Sequence, residues 1–137
     1  MSAANKLLME DWFEKVWNQK NAAAIDAMFH ADGLSHGFPQ ADSVLVGPED
    51  FKAIHRNFIG AFPDLLVTVE DSIAEGDKVV TRWTATMTHL GDSLGMKATQ
   101  KEVKLHGCTI AIVKDGLIVE GWNFMDMGGM FATLQAE

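Results

Sequence analysis

The sequence predicts an α+β domain with helices gathered on one face of an antiparallel sheet. Three observations carry that expectation. Apolar residues in the first half recur at helical spacing, and the period changes to two from Leu65 onward. Turn signals at Glu75-Gly76-Asp77 and Asp115-Gly116 then divide the second half into hairpins. A chain of 137 residues has room for one sizeable core. Low-complexity tracts, internal repeats and Pro/Gly-rich linkers are absent from the sequence, so residues 1–137 are expected to form a single domain.

The elements follow in order. Leu8, Trp12 and Val16, with Met9, Phe13 and Trp17, step along one helical face and predict a first helix from about Asn5 to Asn18. Asn21 is placed to cap a short second helix through Ala22, Ile25 and Phe29. Asp32-Gly33 should end it, with Leu34 to Phe38 a short strand before Pro39. Gly47-Pro48-Glu49-Asp50 reads as a helix start, because proline presets φ and the carboxylates face the positive end of the helix dipole. Phe51, Ile54, Phe58 and Ile59 supply its apolar stripe, and Pro63 stops it. Leu65, Val67 and Val69 alternate in a first long strand, and Val79 to His89 forms the second. Gly91 to Thr99 is a loop, Val103 to Val113 the third strand and Leu117 to Asp126 the fourth. Gly128-Gly129 leads into a last helix, Met130 to Leu134. The later strands are apolar at odd and even positions alike, so both sheet faces should be covered. Helices cover one. A second copy of the chain, in a homodimer through the outer sheet face, is expected on the other.

Composition narrows the partners. The hydrophobic share of 47% and charged share of 22% are ordinary for a globular protein. A net charge of −8, from 19 acidic and 11 basic residues with no basic cluster, repels phosphate backbones and excludes nucleic acid. The one cysteine, Cys108, excludes an intrachain disulfide and any multi-cysteine zinc site. Met1 to Asp11 has no long apolar stretch after a basic start, and no run approaches the ~20 apolar residues that span a bilayer. A cytoplasmic protein with no membrane partner is the expectation.

The chemistry-bearing residues are few. No His/Asp/Glu pair has metal-ligand spacing, so no metal is expected; no serine sits in a Gly-x-Ser-x-Gly elbow, and no glycine-rich phosphate loop occurs. Strand alternation puts Trp122, Phe124 and Asp126 on one face. A carboxylate beside two large aromatics is costly to keep ionised, a condition that general bases exploit. Asp126 is equally placed to cap the last helix beside Gly128-Gly129. The face on which His106 lies depends on the turn that follows its strand. A two-residue turn at Asp115-Gly116 pairs Val113 with Ile118 and sets His106 opposite Met125, facing away from Asp126. A three-residue loop, Lys114-Asp115-Gly116, sets it opposite Phe124, within reach of Asp126.

Several stretches carry a family resemblance. They are Phe62-Pro63-Asp64-Leu65, the run from Ile73 to Ala85, Thr88-His89-Leu90-Gly91, Asp115 to Glu120, and Trp122 to Asp126. In these, and in the order and spacing of its helical half, the chain resembles the SnoaL-like polyketide cyclases of the nuclear transport factor 2-like superfamily. The resemblance implies a cone-shaped, strongly curved antiparallel sheet wrapped around the N-terminal helices, a cystatin-like α+β roll enclosing an apolar pocket. It implies cofactor-free acid/base chemistry, an intramolecular aldol cyclisation or an isomerisation, on a small apolar carbonyl compound. The family's acid/base Asp lies four residues after a Trp on the last strand, which here is Asp126 after Trp122. Polar pocket residues on the third strand at the parity of His106 favour the three-residue loop and make His106 the second catalytic candidate. His36, on the strand edging the cavity, is the candidate to hydrogen-bond a ligand, with Trp122, Phe124, Trp83, Met87 and Trp12 lining the pocket. The chain also departs from the pattern. Positions near Ile110 and Ile112, where cyclases place polar partners, are apolar. Met87 replaces a usual glycine, and Lys97-Ala98-Thr99-Gln100 replaces a Pro-Pro-Thr-Gly-like loop. These departures bring in an alternative, a non-catalytic ligand-binding protein of the same fold; a protein-interaction module is a third. A ketosteroid-isomerase-like reaction lacks its proton donor, since the chain has no Tyr. Arg82, the only strand arginine, is expected to face away from the helices, which leaves no buried Asp-Arg-Asp set for epoxide hydrolysis.

Overall fold

The computed structural model describes residues 2–38 and 44–136. Helix α1, Ser2–Trp12, runs without a break into a π-helical segment, Phe13–Asn18. The wide turns are visible in the Gln19 N–H, which donates to the Glu14 carbonyl at 2.8 Å. Met9, Trp12, Phe13, Val16 and Trp17 are all buried on one face, as their spacing predicts. Asn18 ties the end of this segment to the sheet. Its amide donates to the Val67 carbonyl at 3.0 Å, and its side-chain carbonyl accepts from the Val67 N–H at 2.6 Å.

Helix α2, Ala22–Met28, is capped as expected by Asn21, whose side chain accepts from the Ala23 N–H at 3.0 Å. Strand β1, Phe29–His36, begins directly at its end, earlier than the expected Leu34, and Asp32-Gly33 lies within it at an irregular stretch of pairing. Pro39, expected to follow that strand, is outside the described residues. Strand β2 is Leu45–Val46, and helix α3 is Gly47–Ala61. Gly47 takes φ +80°, turning the chain so that Pro48, Glu49 and Asp50 form the first turn. Strands β3, Leu66–Glu75, β4, Lys78–Thr88, β5, Glu102–Lys114, and β6, Leu117–Met125, complete the sheet, and helix α4, Met127–Gln135, ends the fold.

The six strands form one curved, open sheet in the order β2-β1-β6-β5-β4-β3. Neighbouring pairs are antiparallel except β1 and β6, which run parallel, so the sheet is mixed where an antiparallel one was expected. The parallel pair arises because α2 delivers β1 against the far edge of the β3–β6 meander. Among the described residues no helix is long and apolar enough to cross a membrane.

One register detail decides what faces inward. The β5–β6 turn has two residues, Asp115 at φ +52° and Gly116 at φ +75°, both left-handed as a tight hairpin requires. Val113 therefore pairs with Ile118. The pairing then slips by one residue, so that Ile112 meets Glu120 and Val119 has no opposite number. This β-bulge reverses the inward-facing parity along the rest of β6. Ile118 is buried before it and Gly121 after it.

Candidate functional site

The concave face of the sheet and the helices packed on it line a partly open chamber of about 60 Å³. That is below the roughly 150 Å³ of an engineered apolar cavity that admits benzene. Its wall is mainly apolar: Met9, Trp12, Trp17, Phe58, Met87 and Met125 are prominent. Met9, Met87 and Met125 are unbranched and adaptable, so they are the side chains best able to move aside for a ligand. Aromatic contacts organise the helical side. Phe51 meets Trp12 edge-on at 5.2 Å between centroids, and Trp17 at 6.0 Å.

One polar patch interrupts this wall, made by Trp83 of β4, Thr109 of β5, Asn123 of β6 and Ser35 of β1. Trp83 Nε1 donates to Thr109 Oγ1 at 3.0 Å, Thr109 donates to Asn123 Oδ1 at 3.0 Å, and Asn123 Nδ2 donates to the His36 carbonyl at 3.1 Å. The His36 carbonyl only accepts, which fixes the amide with its nitrogen toward β1 and its oxygen toward Thr109. Gly107, on β5 beside Trp83, leaves the space that the indole occupies; a Cβ there would collide with the ring. Gly121, on β6, leaves open space, since a Cβ there would meet only the Ile110 carbonyl oxygen at 3.8 Å.

No Asp, Glu, His, Lys, Arg or Cys side chain lines the chamber among the described residues. Of the residues that the sequence singled out, Trp12, Trp83 and Met87 are in the wall. Trp17, Phe29, Phe58 and Met125, read from the sequence as core and pocket lining, are there too, while the remaining site candidates are elsewhere. Trp122 is half-buried and Phe124 is 57% exposed, and neither lines the chamber, because the bulge at Val119 brings Gly121, Asn123 and Met125 inward in their place. Asp126 is exposed and caps α4, its Oδ1 accepting from the Gly129 N–H at 2.9 Å. The dry surroundings expected of it are absent. His106 is also exposed, and its carbonyl accepts from the Asp126 N–H at 3.3 Å, so the two lie opposite each other at the end of the ladder. That register matches neither turn model. The turn has two residues, and the bulge adds one further step.

His36 turns its ring away from the chamber. Its Nε2 is 2.7 Å from Glu120 Oε2, and the ring stacks on Trp122 at 5.3 Å and 7°. His55 is buried under Trp17, and its Nε2 donates to the Val16 carbonyl at 2.6 Å, a group that the π-helical turn leaves without a helical partner. Burial pushes the His55 imidazole down from its ordinary value, against the opposing pull of this bond, with Lys20 adding to the downward shift. His89 is fully buried, with Nδ1 accepting from the Thr99 N–H at 3.1 Å, a structural role. Arg82 is exposed on the outer face, as expected.

Ser35, Thr109 and Asn123 were missed by sequence reasoning. The signal for Thr109 is present: Lys104, His106 and Lys114 mark the even positions of β5 as its wet face, leaving Val103, Leu105, Thr109, Ala111 and Val113 to point inward. Ile110 and Ile112, taken as the positions of polar partners, therefore face out.

Comparison with known proteins gives one family. The model described as SnoaL-like polyketide cyclase matches residues 7–134. A proposed SnoaL-like polyketide cyclase from Jannaschia sp. CCS1 superposes with a TM-score of 0.90 at 22% identity, over 99% of this chain and 94% of that one. TsrD from Streptomyces laurentii gives 0.84 at 27%, over 100% and 99%. AclR, a proposed hydroxylase from Streptomyces galilaeus, gives 0.84 at 28%, over 98% and 82%. No curated protein matches.

Proposed function

This chain belongs to the SnoaL-like polyketide cyclase family, and on that premise we propose that it binds a small, uncharged, largely apolar carbonyl compound in the chamber and folds it for ring closure. The observation that carries the reading is the composition of the wall: apolar throughout, apart from the patch of Ser35, Thr109, Asn123 and the Trp83 N–H. Such a wall desolvates an apolar chain favourably, by about 25 cal/mol per Å² buried, and penalises a charge.

With no ionisable side chain in the wall, the chain's part in ring closure is positioning and hydrogen bonding. Confinement brings an enol carbon against a carbonyl carbon of the same molecule. As the C–C bond forms, the enol oxygen becomes a carbonyl and its proton passes to the oxygen of the attacked carbonyl, so atoms balance within the substrate. The second N–H of Asn123, not used by His36, is available to that developing alkoxide. No cofactor is invoked. Asp126 and His106, exposed at the end of the β5–β6 ladder, have no part in this reading.

A second reading, a non-catalytic carrier of the same ligand class, draws support from the same lack of ionisable groups. Both readings require an occupied chamber. Gly121→Val places an isopropyl group in its open space. Calorimetric titration with acetophenone is expected to show saturable binding to the native chain and none to this variant, with the melting temperature held or raised. Equal binding by both would remove the chamber as the site.

The outer sheet face supports a homodimer as part of this proposal. Ile73, Val80, Ile110 and Trp122 are successive cross-strand partners in one row over β3, β4, β5 and β6, and Ile73 is 65% exposed. An apolar row of this kind suits burial against a second copy. Light scattering of the native chain should give twice the monomer mass, and Trp122→Lys should return it to the monomer; a native monomer at micromolar concentration would contradict the dimer.

A further inference from the structure

From the polar patch we infer the kind of head group that the ligand carries: uncharged, with a hydrogen-bond donor beside an acceptor, as in a carboxamide or a protonated carboxylic acid. The inference rests on the reading that the ligand occupies this chamber, and it adds what the ligand must present there.

The His36 carbonyl fixes one N–H of Asn123, and the Thr109 hydroxyl hydrogen is spent on Asn123 Oδ1. Thr109 accepts from Trp83 Nε1, so the indole hydrogen is spent as well. Toward the chamber this leaves one N–H of Asn123 as a fixed donor. It leaves a lone pair on Asn123 Oδ1, and one on Thr109 Oγ1, as fixed acceptors. Neither Thr109 nor Trp83 can donate to a ligand without breaking the relay.

A plain ketone satisfies the Asn123 N–H alone and covers the acceptors without pairing them, which leaves buried polar groups unsatisfied. A carboxylate does worse. It offers acceptors only, and no cationic side chain lines the wall to balance it. A head group with a donor and an acceptor side by side meets both edges of the Asn123 amide at once. The hydroxyl of Ser35, 3% exposed in the same wall, can rotate to give or accept and so does not change the requirement.

Three probes of matched size test this: toluene, acetophenone and benzamide, which present no polar group, an acceptor, and an acceptor with a donor. Each is titrated into the native chain and into Asn123→Leu, which keeps the side-chain volume and removes both amide edges. Benzamide is expected to lose about tenfold or more in affinity in the variant, acetophenone about threefold, and toluene nothing. The native melting curve of the variant serves as the folding control, and Asn123→Asp, which retains the acceptor edge and places a charge in the wall, should reject all three probes. Equal losses for benzamide and acetophenone, with toluene still bound, would overturn this inference and leave the chamber as the site. No toluene binding by the native chain would overturn both.

Discussion

The indole of Trp83 lies against the α-carbon of Gly107 on the neighbouring strand, and the absence of a side chain at Gly107 allows the ring to reach Thr109. The two residues are paired across β4 and β5, and Trp83 lines the chamber. Trp83 is only 6% exposed, so the indole cannot retreat to solvent. Gly107→Ala is therefore expected to destabilise the fold by about 1–3 kcal/mol, the usual range for overpacking. Chemical denaturation measures the loss, and near-UV circular dichroism should show the altered Trp83 environment.

Thr109→Val keeps the shape of the side chain and removes its hydroxyl. The buried Trp83 N–H loses its acceptor and Asn123 Oδ1 loses its donor. A loss of about 1–3 kcal/mol is expected, read from the denaturant midpoint with the slope unchanged. Trp83→Phe in the Thr109→Val background should cost less than the two single changes together, since they share one bond.

Asp126 is a helix cap, and the variants that distinguish capping from acid/base work are simple. Asp126→Ala should cost about 1 kcal/mol of stability, while Asp126→Asn, which also caps well, should remain near the native midpoint. Ligand affinity in the chamber should be the same in all three proteins. A large loss of affinity in Asp126→Asn would restore the carboxylate to the site.

His55 gives the fold a pH dependence of known sign. Burial holds its folded value below the ordinary 6.5, so above 6.5 the stabilisation of the neutral, Val16-bonded ring is complete. Between 6.5 and the lowered folded value the unfolded chain binds the extra proton, and stability falls as pH falls. Melting temperatures from pH 8 down to pH 5 should decline more steeply for the native chain than for His55→Leu.

Much of this architecture was legible. Helical spacing at Met9, Phe13 and Trp17, the cap at Asn21 and the proline start of α3 are local signals, and the structure agrees with each; the turn at Asp115-Gly116 lies where expected but has two residues where a three-residue loop was favoured. The entry of β1 beside β6 was not legible, because parallel pairing depends on packing between distant segments. The site was harder. Trp12, Trp83 and Met87 line the chamber, but one unpaired residue, Val119, exchanged the faces of β6 and sent Trp122, Phe124 and Asp126 away from it. Nothing about a valine among apolar neighbours announces a bulge. Thr109 was legible from the lysines of β5, and Asn123 only through the register that the bulge sets.

The measurement that reaches the central claim most directly is a nuclear magnetic resonance titration with acetophenone, following the Trp83 indole N–H and the Asn123 side-chain amide. The account predicts saturable shifts of both, with a common dissociation constant, while the exposed His106 ring and Phe124 stay fixed. Shifts confined to the outer sheet face, with the Trp83 and Asn123 signals unmoved at saturation, would contradict it.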